Sequence, residues 1–257
     1  MHKLKNAFLI LFLILLANTS CKNIFRKDLS LMVKEYQSLG MPDIDTVWTY
    51  NYLAKAHGTI ANLRMKNFFS LPRYKSRKSG AIFSRIINKD NLSFLKDTTT
   101  SLRDKALQIQ SFWSFISDIG RMYTDNLRIK QYYSAELIEI YTFDMYVQKK
   151  MFELAGVIDK SKVPDDISMQ QGRTGIIIGY VNLITFLIHE QEKTKSFSPR
   201  QLNILNSEVA RSITDNIQYL DSESKQKLSD EIKKITEGSS SGSKRKHLNK
   251  ILKLISG

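Results

Sequence analysis

LRDKALQIQSFWSFISDIGRMY, residues 102–123, repeats its apolar side chains every three or four positions, through Leu102, Ala106, Ile109, Trp113, Ile116 and Tyr123. That period brings them to one side of an α-helix and would scatter them across both faces of a strand. Thr98 to Thr100 supply hydroxyls that can cap its start. The same period recurs on both sides of the stretch. Towards the C-terminus it predicts helices over about 132–157, 175–188, 198–220 and 221–238, with residues 159–166, which include Pro164, as a loop. Ser198-Pro199-Arg200-Gln201 is the sharpest local signature, with a capping Ser, Pro at the first helical position and Gln placed to close a capping box. Towards the N-terminus, helices are expected over 28–39, ended by Gly40-Met41-Pro42, and from Asp43 or Asp45 to about Phe69, with Trp48, Tyr52, Ala56, Ile60 and Leu63 inward. Leu71-Pro72 breaks that pattern, and a short helix follows over 81–87.

The expectation is an all-α, single domain of about seven or eight helices in an irregular bundle. The segment 175–188, almost wholly apolar, is expected to be its buried central helix. Within it Gly175 and Gly179 stand four apart, which suits close approach of a second helix. With 4 Pro and 11 Gly against 13 Phe and 11 Tyr, the chain has few breakpoints and many large side chains to bury.

The first residues read differently. Basic Lys3 and Lys5 precede an unbroken apolar run from Ala7 to Ala17, about half the length a membrane-spanning helix needs. Small polar residues and Cys21, the only cysteine, follow. This is the pattern of a secretory signal peptide. Asn18-Thr19-Ser20-Cys21 resembles the lipobox of bacterial lipoproteins, with an Asn where the common form has an aliphatic residue. Together with an Asn-, Ile-, Lys- and Phe-rich composition, it looks like lipoproteins of the Bacteroidota. The resemblance implies cleavage after residue 20, lipidation of Cys21 and a cell-envelope location, with Lys22 favouring the outer membrane. The expected organisation is a signal peptide over 1–20, a lipidated tether over 21–27, the helical domain over 28–237, and a flexible linker and basic amphipathic tail over 238–257.

Formal charge is +14, and losing residues 1–20 removes Lys3 and Lys5 and no acid, leaving +12 from 37 basic and 25 acidic groups. In an exported protein such charge points to an acidic protein or another anionic envelope component, and away from nucleic acid. Two segments concentrate it. Arg64, Arg73, Tyr74, Lys75, Arg77, Lys78 and Arg85 lie in a stretch without acids that also holds Phe68, Phe69 and Phe83, a composition suited to gripping carboxylates or a protein partner. Lys244, Arg245 and Lys246 precede Leu248, Ile251 and Leu252, a basic amphipathic pattern suited to a membrane surface.

No catalytic, metal or cofactor signature stands out. His189-Glu190-Gln191-Glu192-Lys193 begins like a zinc-protease helix but has Lys193 where the second His belongs. No pair of Glu-x-x-His helices exists for a di-iron bundle, and no phosphate-binding glycine loop or nucleophile elbow is present. Glu136, Glu139 and Asp144 are expected on the polar face of their helix. The sequence therefore predicts a membrane-anchored, non-catalytic lipoprotein that binds a partner. An envelope enzyme using His57 with Glu136 or Asp144, and a binder of anionic lipid or lipopolysaccharide, stand as alternatives.

Overall fold

The computed structural model describes residues 34–77, 79–160, 167–193, 195–238 and 242–256. The expectations for the signal peptide, Cys21, Lys78 and residues 161–166 of the loop expected over 159–166 lie outside the described residues, while Asp159 and Lys160 end α5 and are helical. Most of those described are helical, with no strand among them. After a helical turn at residues 34–38 come α1 (Tyr50–Lys66), α2 (Gly80–Ile86), α3 (Leu102–Met122), α4 (Leu127–Tyr132) and α5 (Ser134–Lys160). The second half holds α6 (Ile167–Lys193), α7 (Pro199–Asn216), α8 (Ser222–Gly238) and α9 (Gly242–Ser256). The all-α bundle read from the sequence is what the chain forms.

Local chemistry fixes the helix ends. The first helical turn stops at Gly40, whose φ of +100° only glycine adopts freely. Its N–H donates to Gln37 O, and that of Met41 to Tyr36 O, the paired bonds that close a helix C-terminus. α3 is capped by Ser101, not by the threonines before it. Asp104 N–H donates to Ser101 Oγ at 3.1 Å, while Thr99 and Thr100 wrap the Asp97 carboxylate. α7 starts with the expected capping box, Ser198 N–H donating to Gln201 Oε1 at 2.8 Å and Gln201 N–H to Ser198 Oγ at 3.4 Å. α1 ends at Lys66, short of Phe69, and its inward face carries Leu53 in place of Tyr52, which is exposed.

The centre of the bundle is α5. The helices α3 and α7 lie along it, with α6 and α4 also in contact, so its sides are covered. Consequently Glu136 and Asp144 are buried together with Tyr133, Leu137, Ile140, Val147 and Phe152, and the expectation of a solvated polar face is corrected for both acids. The expected central helix is corrected as well. α6 packs through Tyr180, Val181, Ile184, Leu187 and Ile188, while Ile178 remains 48% exposed and Phe186 39%. By length and composition alone the segment Gln170–Gln191 could cross a membrane, yet its buried face is taken up by α5, α7 and α8.

The C-terminal segment belongs to the domain. α9 lies against α8 and α7, and Leu248, Ile251 and Ile255 are part of the core. The reading of Leu248 and Ile251 as membrane-facing residues of a free tail is thus corrected: burying an apolar stripe on the bundle removes it from water as effectively as a lipid surface would. Arg245, Lys246 and Lys250 stay exposed on the outer side, and Leu252 is half-buried.

Candidate functional site: a ring and guanidinium face

Where α1 ends, Asn67 leaves the helix in an extended conformation, and its side chain accepts the Phe69 N–H at 2.9 Å. The resulting single turn, Phe68–Ser70, turns two aromatic rings outward: Phe68 is 41% exposed and Phe69 38%. Large rings held in water need a reason. The next residues reverse the trend, since Leu71 and Pro72 are buried. Two buried tyrosines hold them. The Tyr133 hydroxyl accepts from Leu71 N–H at 3.1 Å and donates to Phe68 O at 3.0 Å, and the Tyr123 hydroxyl donates to Pro72 O at 2.8 Å. Burial pushes both phenols above their ordinary range, so they remain neutral donors.

Arg73 comes next. Its backbone N–H donates to Ser79 Oγ at 2.8 Å, its Nη2 donates to Tyr132 O at 3.2 Å, and its guanidinium lies 4.3 Å from the Tyr132 ring centroid. Behind it Glu136, whose side chain is fully buried, accepts the Tyr74 N–H at 2.6 Å and pairs with Arg73 Nε at 3.6 Å. Burial raises the Glu136 pKa, while Arg73 and the Tyr74 N–H pull against that rise. The carboxylate thus fixes Arg73 from below and leaves its outer side, 38% exposed, facing solvent. Lys75 takes a left-handed φ of 59°, turning the chain towards α2 with its ammonium 5.1 Å from the Tyr74 ring.

Two further guanidiniums complete a ladder. Arg64 lies 5.4 Å from Phe68 and is held by Asp125 at 2.8 Å; Arg128 lies 5.5 Å from Phe69. Phe69 meets Tyr132 edge to face at 4.8 Å, and Tyr132 is 40% exposed. Each of three exposed rings is therefore faced by its own arginine, a contact worth about 0.5–1 kcal/mol at such sites.

Of the residues singled out in the sequence, Arg64, Arg73, Tyr74 and Lys75 come to this face or its edge, and Arg77 is exposed in the turn entering α2. Arg85 is displaced onto α2, with Nε and Nη2 buried, and joins none of these rings among the described contacts. Arg128, Tyr132 and Asp125 were not foreseen. Asp125 arrives from the α3–α4 connection and Arg128 and Tyr132 from α4, about 60 positions away, and no local spacing signals that meeting; the Tyr132-Tyr133 doublet is the only hint.

The alternative catalytic grouping is not assembled. His57 packs on the Phe115 ring at 5.5 Å, Glu136 is engaged by Arg73 and Tyr74, and Asp144 by Trp113 and Ser117. Among the described residues no three His, Cys, Asp or Glu side chains converge as a metal site needs. No family model, curated protein or solved structure matches the chain, and the face is read from its own geometry.

Because Tyr133 satisfies one donor and one acceptor of the ring-bearing turn, Tyr133→Phe is expected to lower stability by about 1–3 kcal/mol, the cost of leaving buried polar groups unpaired. Urea unfolding would read it. An unchanged midpoint would mean that the turn is held without the hydroxyl.

Proposed function

We propose that this chain is a lipid-anchored envelope lipoprotein whose helical domain binds an acidic protein partner through the ring and guanidinium face. The observation that carries this reading is the pairing of exposed Phe68, Phe69 and Tyr132 with Arg64, Arg128 and Arg73 on a turn fixed by buried hydrogen bonds. Aromatic and arginine side chains dominate the energetic centres of protein interfaces, and a rigid support lowers the entropy lost on association. Formal charge of +12 after signal-peptide removal adds attraction to an acidic surface. The lipobox-like Cys21 supplies the anchor, and an assembly or immunity-type role fits a tethered binding domain of this kind.

The test is affinity capture from native envelopes with the full chain, comparing wild type with Phe69→Ala/Arg73→Ala. A stoichiometric acidic partner retained by wild type and reduced at least tenfold in the variant is the expected result. Equal capture by both would remove the face from the interaction, and absence of any partner would remove the reading. The anchor has its own readout: labelled palmitate should enter wild type and not Cys21→Ser.

A further inference from the structure

A cavity of about 370 Å³ opens between α3, α5 and the first half of α6. Its walls are mostly apolar, with Ala106, Ile109 and Trp113 from α3, Met151 and Ala155 from α5, and Ile176 from α6. Helix-interior glycines need a steric reason, because each costs roughly 1 kcal/mol against alanine. For Gly179 that reason is close packing, since a Cβ there would stand 2.9 Å from Trp113 Cη2. Gly172 and Gly175 have no such neighbour: a Cβ on either meets nothing within 4 Å, and both line the cavity. Three residues apart, they sit on one face of α6 at the border of the cavity, Gly172 half-buried and Gly175 exposed. The expectation that Gly175 serves close helix approach is corrected accordingly.

Charge also lines this space. Arg103, which is exposed, and Arg173, which pairs with Asp159, both line it together with Gln110 and Gln171, and no carboxylate does so among the described residues. An apolar chamber with guanidiniums along its border is complementary to a molecule with an apolar chain and an anionic end. Size narrows the class. A cavity of about 150 Å³ holds benzene, so in proportion this one holds on the order of fifteen heavy atoms, enough for one medium-length chain and too few for a two-chain lipid. We propose that the cavity between α3, α5 and α6 binds a single-chain anionic amphiphile of the medium-chain fatty carboxylate class, chain inward and carboxylate at Arg103 and Arg173. This site is separate from the ring and guanidinium face and does not rest on it.

The experiment uses the full chain in phosphatidylcholine vesicles and a dodecanoate carrying a photoreactive diazirine, with labelled peptides located by mass spectrometry. Saturable labelling within residues 102–113, 151–158 and 171–176, competed by dodecanoate, is expected. Each two-carbon shortening of the competitor should weaken it by about 15-fold, from roughly fourfold per buried methylene. Gly175→Leu, which places a side chain in open space, and Ala155→Phe from the opposite wall should each reduce cavity labelling at least tenfold while circular dichroism stays unchanged. Arg103→Gln should weaken competition by dodecanoate about three- to tenfold and leave dodecanol unaffected. Labelling confined to other segments, undiminished labelling in both folded cavity-filling variants, or competition by dodecyltrimethylammonium equal to that by dodecanoate would each overturn the proposal.

Discussion

Replacing Ile251 by Ala is expected to lower the unfolding free energy by about 2–5 kcal/mol, although the residue lies only six positions before residue 257. Ile251 has no exposed surface, and Leu248 and Ile255 lie one turn to either side of it, exposed by 2% and 6%. All three face α8 and α7, where Leu228, Ile232 and Leu205 are themselves fully buried. Deleting three carbons there leaves a void that the surrounding helices fill only in part, and the lost contacts add to the lost transfer energy. For a domain of this size the shift in midpoint temperature should be about 5–15 °C. Lys250→Ala, next door on the exposed side, should change stability by no more than about 0.5 kcal/mol. A free amphipathic tail would give the same small value at both positions. Equal and negligible effects would therefore show that α9 is not part of the cooperative unit.

That segment also illustrates what the sequence carried and what it did not. The spacing of Leu248, Ile251, Leu252 and Ile255 identifies a helix with one apolar side, and that helix is present. What covers the apolar side is a tertiary fact. Preceded by Gly and Ser, the stripe is equally suited to lipid, a partner or its own domain, and periodicity alone cannot rank the three.

The exchange of roles between α5 and α6 has a related cause. Apolar density placed residues 175–188 at the centre, but burial depends on how many neighbours a helix has. The sequence of α5, interrupted by Glu136, Asp144 and Gln148, reads as half-solvated, yet α3 and α7 cover it and all three polar side chains are buried. Signals that act within four residues are legible at Ser198-Gln201 and Gly40, although at α3 the capping hydroxyl is Ser101, one position past the expected threonines. The ring and guanidinium face was half legible for the same reason. Phe68, Phe69 and Arg73 are near one another in sequence, whereas Tyr132 and Arg128, which give the face its ladder, meet them only through the fold.

The buried carboxyl at the middle of α5 should make the protein less stable as pH rises through neutrality. Asp144 is 5% exposed, accepts Trp113 Nε1–H at 2.7 Å and the Ser117 hydroxyl at 3.4 Å, and has no cation among its described partners. Burial lifts its pKa to about 7, against the pull of those two donors. In the unfolded chain it titrates near 3.9. Between these values the folded state binds a proton that the unfolded state has released, so stability declines with increasing pH across that interval. The full contribution is present below about pH 4 and is lost once Asp144 ionises in the folded state. The full difference amounts to about 4 kcal/mol, of which about 1.5 kcal/mol is already lost by pH 5. Glu136, also raised by burial, adds a slope of the same sign. Asp97, Asp221 and Glu231 are lowered by their hydrogen bonds, with Lys234 as the donor to Glu231, and act only at acid pH, where they oppose it. Asp144→Asn keeps an oxygen acceptor for Trp113 and removes the titration. Urea unfolding at pH 5 and pH 8.5 should therefore show wild type losing about 2.5–3 kcal/mol through Asp144, while the variant keeps only the slope due to Glu136. Parallel profiles would show that Asp144 does not ionise in this interval, or that water reaches it.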